Sequence, residues 1–125
     1  MDKISNKQLE EYTKDLTEFV NHTDTVFARS TDELYVVYSY GEHFPMYIYD
    51  HQSEMWFGNS DRYSPTTTRH QTLAQPQDEM INRVTTQDLL DIIHCGGYRN
   101  YCSDRCGVLV YGRSTQGTLL NQRRA

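Results

Sequence analysis

The chain lacks most of the features that would identify it quickly. No apolar run approaches the ~20 residues needed to cross a bilayer, so no membrane span and no membrane partner are expected. The opening MDKISNKQLEEY has no apolar core of the kind a secretory signal carries, which sets the expectation of a cytosolic protein. Cysteine is scarce: three residues, an odd number, argue against a closed disulfide framework and for reduced thiols. There is no Gly-rich phosphate loop, no nucleophile elbow and no internal repeat. Positive charge is short as well. The formal net charge is −5, and it is uneven: residues 1–58 hold 11 acidic and 4 basic side chains, and the remainder holds 6 and 8. An acidic half repels phosphate backbones, which counts against a general nucleic-acid binder unless the later arginines gather on one surface. Ordinary solubilising charge is the plainer alternative.

What the chain has in quantity is tyrosine, ten in 125 residues, a length that suits one domain able to bury a core without staples. Most of the aromatic mass lies in ELYVVYSYGEHFPMYIYDHQSEMWFGN, residues 33–59, which reads as three strands and two turns. Residues 34–40 are apolar or aromatic at both alternating sets of positions, the pattern of a central strand covered on both sides. Gly41 and Pro45 break that run. Residues 46–50 alternate again, with Met46 and Ile48 against Tyr47 and Tyr49, and residues 55–57 close the meander.

Around this centre, residues 5–22 read as an amphipathic helix with Leu9, Tyr12, Leu16, Phe19 and Val20 on one stripe and Ser5 with Gln8 as a capping box. Residues 25–29 read as a first strand, and residues 58–76 as a long polar surface segment with one short extended piece near 66–68. Thr85 and Asp88 open a second helix over 85–95, stopped by Gly96 and Gly97, and residues 107–112 read as a last strand. The expected fold is therefore α+β: an antiparallel sheet of four or five strands, the first helix across one face, the shorter one near an edge, and the other face rich in tyrosine. A small, partly open barrel is the alternative.

Three constellations could carry chemistry. His94, Cys95, Cys102 and Cys106 are candidate zinc ligands, but their spacing lacks the paired C-x-x-C knuckle, so no metal or other cofactor is expected. His43, His51 and His70, with Asp50, Asp61 and Arg69 nearby in sequence, could serve acid–base catalysis, yet nothing in their spacing fixes a geometry, and no catalytic residue is assigned. The aromatic set Tyr35, Tyr47, Tyr49, Trp56 and Tyr63 suits a contact surface, together with Asp61, Arg62, Arg69 and His70 of the polar segment. Core filling by the aromatics and self-bracing of the polar segment are the structural alternatives.

The residues Tyr35-Val36-Val37-Tyr38-Ser39-Tyr40-Gly41, His43-Phe44-Pro45-Met46-Tyr47-Ile48-Tyr49-Asp50, Trp56, Asn59-Ser60-Asp61-Arg62-Tyr63-Ser64 and Thr67-Thr68-Arg69-His70-Gln71 together resemble a pattern in small proteins of phages and mobile elements. The resemblance covers about a third of the chain and implies an accessory factor, among them inhibitors of host defence such as anti-CRISPR proteins. It transfers no site residue. The functional expectation is a non-catalytic inhibitor that binds a host or defence protein with a basic surface. A nucleic-acid-binding module using exposed tyrosines with Arg62, Arg69, Arg99, Arg105 and Arg113 is the competing expectation, and a small metal-binding protein or enzyme is a third.

Overall fold

A computed structural model of the chain describes residues 3–76 and 80–103. Seven strands form one sheet in which every strand lies beside the next in sequence: β1 (Lys3–Ile4), β2 (Phe19–Asn21), β3 (Val26–Ser30), β4 (Leu34–Ser39), β5 (Pro45–Asp50), β6 (Met55–Asn59) and β7 (Ile81–Val84). The helices among the described residues are α1 (Leu9–Lys14), preceded by a 3₁₀ turn at Asn6–Gln8, then α2 (Pro65–Leu73), α3 (Thr86–Cys95) and α4 (Tyr98–Cys102). The strands from β2 to β6 pair antiparallel, while β1 runs parallel to β2 and β7 parallel to β6. Parallel neighbours cannot be joined by a tight turn, so each edge needs a crossover. The first is supplied by the 3₁₀ turn and α1, the second by α2.

Helices cover both faces. One apolar cluster joins Tyr35, Val37, Tyr47 and Trp56 of the sheet to Leu9 and Tyr12 of α1 and to Leu73 and Ala74 at the end of α2. The other joins Leu34, Val36, Tyr38, Ile48 and Phe57 to Leu89 and Ile92 of α3 and Tyr101 of α4. The run 34–40 thus supplies the expected central strand, β4, whose six residues are all buried. The register slips between Val37 and Tyr38, which pairs with Pro45, and at this bulge Met46 joins Tyr47 in the α1 and α2 layer instead of alternating with it.

The α+β class holds, but the strand count and the purely antiparallel pattern do not, and a barrel is not formed: among the described residues β1 and β7 are open edges. The helix expected over 5–22 stops at Lys14. Leu16 takes a left-handed conformation (φ 55°), and Phe19, which shares the apolar stripe, pairs instead with Ala28 in the sheet. The Tyr35 hydroxyl holds this turn by donating to the Thr17 carbonyl at 2.8 Å. The segment expected to be a loop contains α2, and the piece near 66–68 is helical rather than extended. Ser64 caps that helix and Pro65 occupies its first turn, an arrangement that favours a helical start. The capping box of Thr85 and Asp88 forms as expected, and Gly96 ends α3 in the left-handed region (φ 78°). The strand expected over 107–112 lies outside the described residues. No described helix is long and apolar enough to cross a membrane.

Candidate functional site

The expected aromatic surface is mostly interior. Tyr35 and Tyr47 are 0% and 1% exposed and Trp56 is 6% exposed, because they lie on the face that α1 and α2 together cover. Burial pushes the phenol of Tyr35 far up and that of Tyr47 up as well, with Arg83 opposing the second shift. Tyr49 is half-buried between Trp56 and His51, with ring centroids 5.2 Å away in both cases. Only Tyr63 of the five is well exposed, at 76%. As a partner-contacting set, Tyr35, Tyr47 and Trp56 are corrected to core residues. The sheet uses their large apolar area to hold its crossover helix.

The polar segment serves largely as a brace. Asn59, fully buried at the end of β6, donates from Nδ2 to the Pro45 carbonyl (2.8 Å) and to Thr86 Oγ1 (2.9 Å), while its Oδ1 accepts from the Asp61 amide (2.8 Å). Gln71 on α2 donates from Nε2 to the carbonyls of Asn59 (3.0 Å) and Asp61 (3.2 Å), and its own carbonyl accepts from the Tyr47 hydroxyl at 2.6 Å. The Asp61 carboxylate accepts from the Thr86 amide at the start of α3 (2.9 Å). These bonds account for Asn59 and Asp61 by architecture, and for the amide nitrogen of Gln71, whose Oε1 is buried without a partner.

The rest of the segment gathers at a cleft of about 250 Å³ between the β4–β5 turn and the start of α2. Its walls carry Tyr40, His43, Phe44 and Tyr63, and its polar lining comes from Ser39, Ser64, Thr66 and Thr67. Tyr40 is 53% exposed and sits in the left-handed region (φ 66°), an uncommon place for an aromatic residue. The turn holds it there: its amide donates to the Thr25 carbonyl at 2.7 Å, and a Cβ on the next residue, Gly41, would lie 2.9 Å from His43 Nδ1. Across the cleft, Tyr63 leans on Phe44 with centroids 5.7 Å apart. Tyr40, Tyr63 and Met80 are the large exposed apolar side chains among the described residues, and two of these three face this one cleft.

Beneath the cleft, His70 Nδ1 and Ser39 Oγ share a hydrogen bond of 2.8 Å, and the Tyr40 ring lies 5.5 Å from the imidazole. Burial, reinforced by the neighbouring Arg69 guanidinium, lowers the His70 pKa from its ordinary 6.5, so the ring is neutral at neutral pH. A hydroxyl beside a neutral imidazole has the form of an activated nucleophile. Ser39, however, is 1% exposed, and no carboxylate among the described residues hydrogen-bonds His70 to orient it. What the bond does mechanically is tie α2 to the end of β4. His43 reaches the same cleft from its rim, whereas His51 lies at the far end of β5. Asp50 is committed elsewhere, accepting from the amides of Gln52 (2.9 Å) and Tyr98 (2.8 Å). The histidine set is therefore not brought together. Arg62 and Arg69 are exposed, and neither enters an ion pair among the described residues.

Of the zinc candidates, His94 and Cys95 end α3, Cys102 ends α4, and Cys106 lies outside the described residues. Among the described residues no three His, Cys, Asp or Glu side chains are grouped to hold a metal ion. Cys102 is a free thiol. The sequence reading missed Tyr40, Phe44 and Ser64 as site residues. The available signals were the Tyr-Gly pair at the strand end and the Ser-Pro pair that starts a helix. No family model matches the chain, and neither the curated proteins nor the solved structures yield a match.

Proposed function

We propose that the protein acts by binding and not by catalysis, as a small accessory factor that occupies the basic surface of a defence or nucleic-acid-handling protein, in the manner of the phage and mobile-element inhibitors whose sequence pattern it resembles. The observation that carries this reading is the pair of exposed tyrosines, Tyr40 and Tyr63, set around one preformed cleft. Exposed tyrosines held by a rigid frame bury large area at little rotamer cost, which is the chemistry of a contact hot spot. The acidic first half of the chain supplies complementary charge to a basic partner. A second reading has its own support: Arg62 and Arg69 are exposed and next in sequence to Tyr63 and His70, and tyrosines with arginines also stack and neutralise single-stranded nucleic acid.

Affinity capture from a host lysate decides between them. The protein-binding reading expects a specific protein to be retained by the wild type and lost by the Tyr40→Ala/Tyr63→Ala variant. Direct affinity for an oligonucleotide that falls steeply with salt, with no protein retained, would favour the second reading and overturn the first.

A further inference from the structure

On the opposite face of the sheet, a depression of about 510 Å³ runs along β4 between β3 and the C-terminal end of α3. Its floor is Leu34, Val36 and Tyr38, alternate residues of one strand face, with Ile93 of α3 as one wall. Its ends are acidic. Glu33 precedes the first floor residue, and Glu18 is held beside that end by the Ser30 amide, which donates to its carboxylate at 2.7 Å. Glu42 stands at the other end, near enough to Tyr38 to act on its phenol. The groove also contains Arg29, whose guanidinium lies over the Phe27 ring at 5.2 Å. Three carboxylates against one cation leave the groove negative.

Tyr38 adds an independent observation. It is only 5% exposed and is stacked on Phe27 at 5.1 Å, and it lines the groove with no hydrogen bond from its hydroxyl to any described residue. Burial, and then the Glu42 carboxylate, raise its pKa, so it keeps its proton and remains a donor. The hydroxyl oxygen itself reaches solvent at the groove, so water satisfies it in the free chain and a ligand acceptor can take that bond.

We propose that this groove binds an extended basic segment of a protein partner, with an apolar side chain over Val36, a lysine or arginine at each acidic end, and a backbone carbonyl accepting from the Tyr38 hydroxyl. From Glu33 to Tyr38 is five strand steps, roughly 17 Å at the usual rise, so the two cations of an extended peptide stand about five residues apart. The negative rim repels a phosphate backbone, which sets this site apart from the tyrosine cleft on the other face. The proposal rests on the reading that the protein acts through a protein partner, and it names the chemistry of that partner. The β4–β5 turn connects the two surfaces, since it directs Tyr40 and His43 into the cleft and Glu42 into the groove.

The test uses the whole chain and two synthetic peptides, one with arginines five residues apart flanking a valine-centred run, the other with both arginines replaced by glutamine. Fluorescence polarisation should show the arginine peptide binding at least ~10-fold more tightly, with Glu33→Gln and Glu42→Gln each weakening it by roughly 3–10-fold. Tyr38→Phe should weaken it by about 3-fold, the loss of one hydrogen bond, without lowering the unfolding temperature. Equal binding of the two peptides, or no binding of the arginine peptide, would overturn the proposal. So would full affinity in a Glu33→Gln/Glu42→Gln variant whose unfolding temperature matches wild type. Capture of a host protein that survives this double variant but is lost in Tyr40→Ala/Tyr63→Ala sinks the groove alone and leaves the broader protein-binding reading intact.

Discussion

The two crossover helices lie on the same face of the sheet and are fastened to it by different forces. α1 is held chiefly by apolar contact: Leu9 is fully buried, and Tyr12 meets the edge of Phe19 with centroids 6.2 Å apart, with one long hydrogen bond from the Tyr35 hydroxyl to the Tyr12 carbonyl (3.3 Å). α2 turns Thr67, His70 and Gln71 inward and reaches the apolar core only at its end, through Leu73 and Ala74. Apolar contact is non-directional and tolerates exchange of like volumes, whereas a buried hydrogen-bond set holds only if each donor meets its acceptor. The second helix is therefore placed more exactingly than the first. That suits its position, because the start of α2 forms one wall of the tyrosine cleft and the turn bearing Tyr40 forms the other.

The contrast can be broken most severely at Leu9 and Gln71. Leu9→Ala should cost about 3 kcal/mol through lost transfer energy and the cavity left behind. Gln71→Ala should cost about 2 kcal/mol by removing the amide that bonds the Asn59 and Asp61 carbonyls. Conservative changes then separate the two modes: Leu9→Met should cost under about 1.5 kcal/mol, while Gln71→Glu should cost nearly as much as alanine, since a carboxylate cannot donate to those carbonyls. Urea denaturation measures all four, and equal tolerance at the two positions would remove the distinction.

A smaller effect is expected at the start of α2. Ser64 Oγ accepts from the Thr67 amide at 3.1 Å, so Ser64→Ala should cost about 1 kcal/mol, with hydrogen exchange accelerated at Thr67 and Thr68 but not in α1.

The smallest effect is one of pH. The His70 pKa is lowered in the fold, so as pH falls below the ordinary 6.5 the unfolded chain takes up a proton before the folded one does. The stabilising contribution of neutral His70 is complete above that value and is lost as pH drops through the lower folded value. Unfolding temperatures followed from neutral to mildly acidic pH should show this slope in the wild type and a shallower one in His70→Asn. Identical slopes would mean that other groups carry the acid sensitivity.

The two helices also explain how far the sequence could be read. α1 announces itself because Leu9, Tyr12 and Leu16 recur at helical spacing, although Thr13 is buried beside Leu9, and the same periodicity carries on through Phe19, past the end of the helix. α2 has no such stripe. Its inward residues are a threonine, a histidine and a glutamine, so by pattern it looked like a surface loop. Tyr35, Tyr47 and Trp56 lie under both helices, so the contact site expected of them falls in the core.

The sequence by itself determined the central strand, because near-continuous apolar character over residues 34–40 has few outlets except burial on both faces. It also determined the capping box of α3 and the stop at Gly96, which depend on side chains within a few positions of one another. Only the tertiary structure decided which tyrosines reach solvent, since that depends on a helix far along the chain crossing over them. It alone brought Ser39 to His70 across 31 positions and carried Glu18 to the acidic end of a groove floored by β4. Local propensity acts between neighbours in sequence, whereas a cleft or a groove is made by residues that the fold brings together only after their strands have paired.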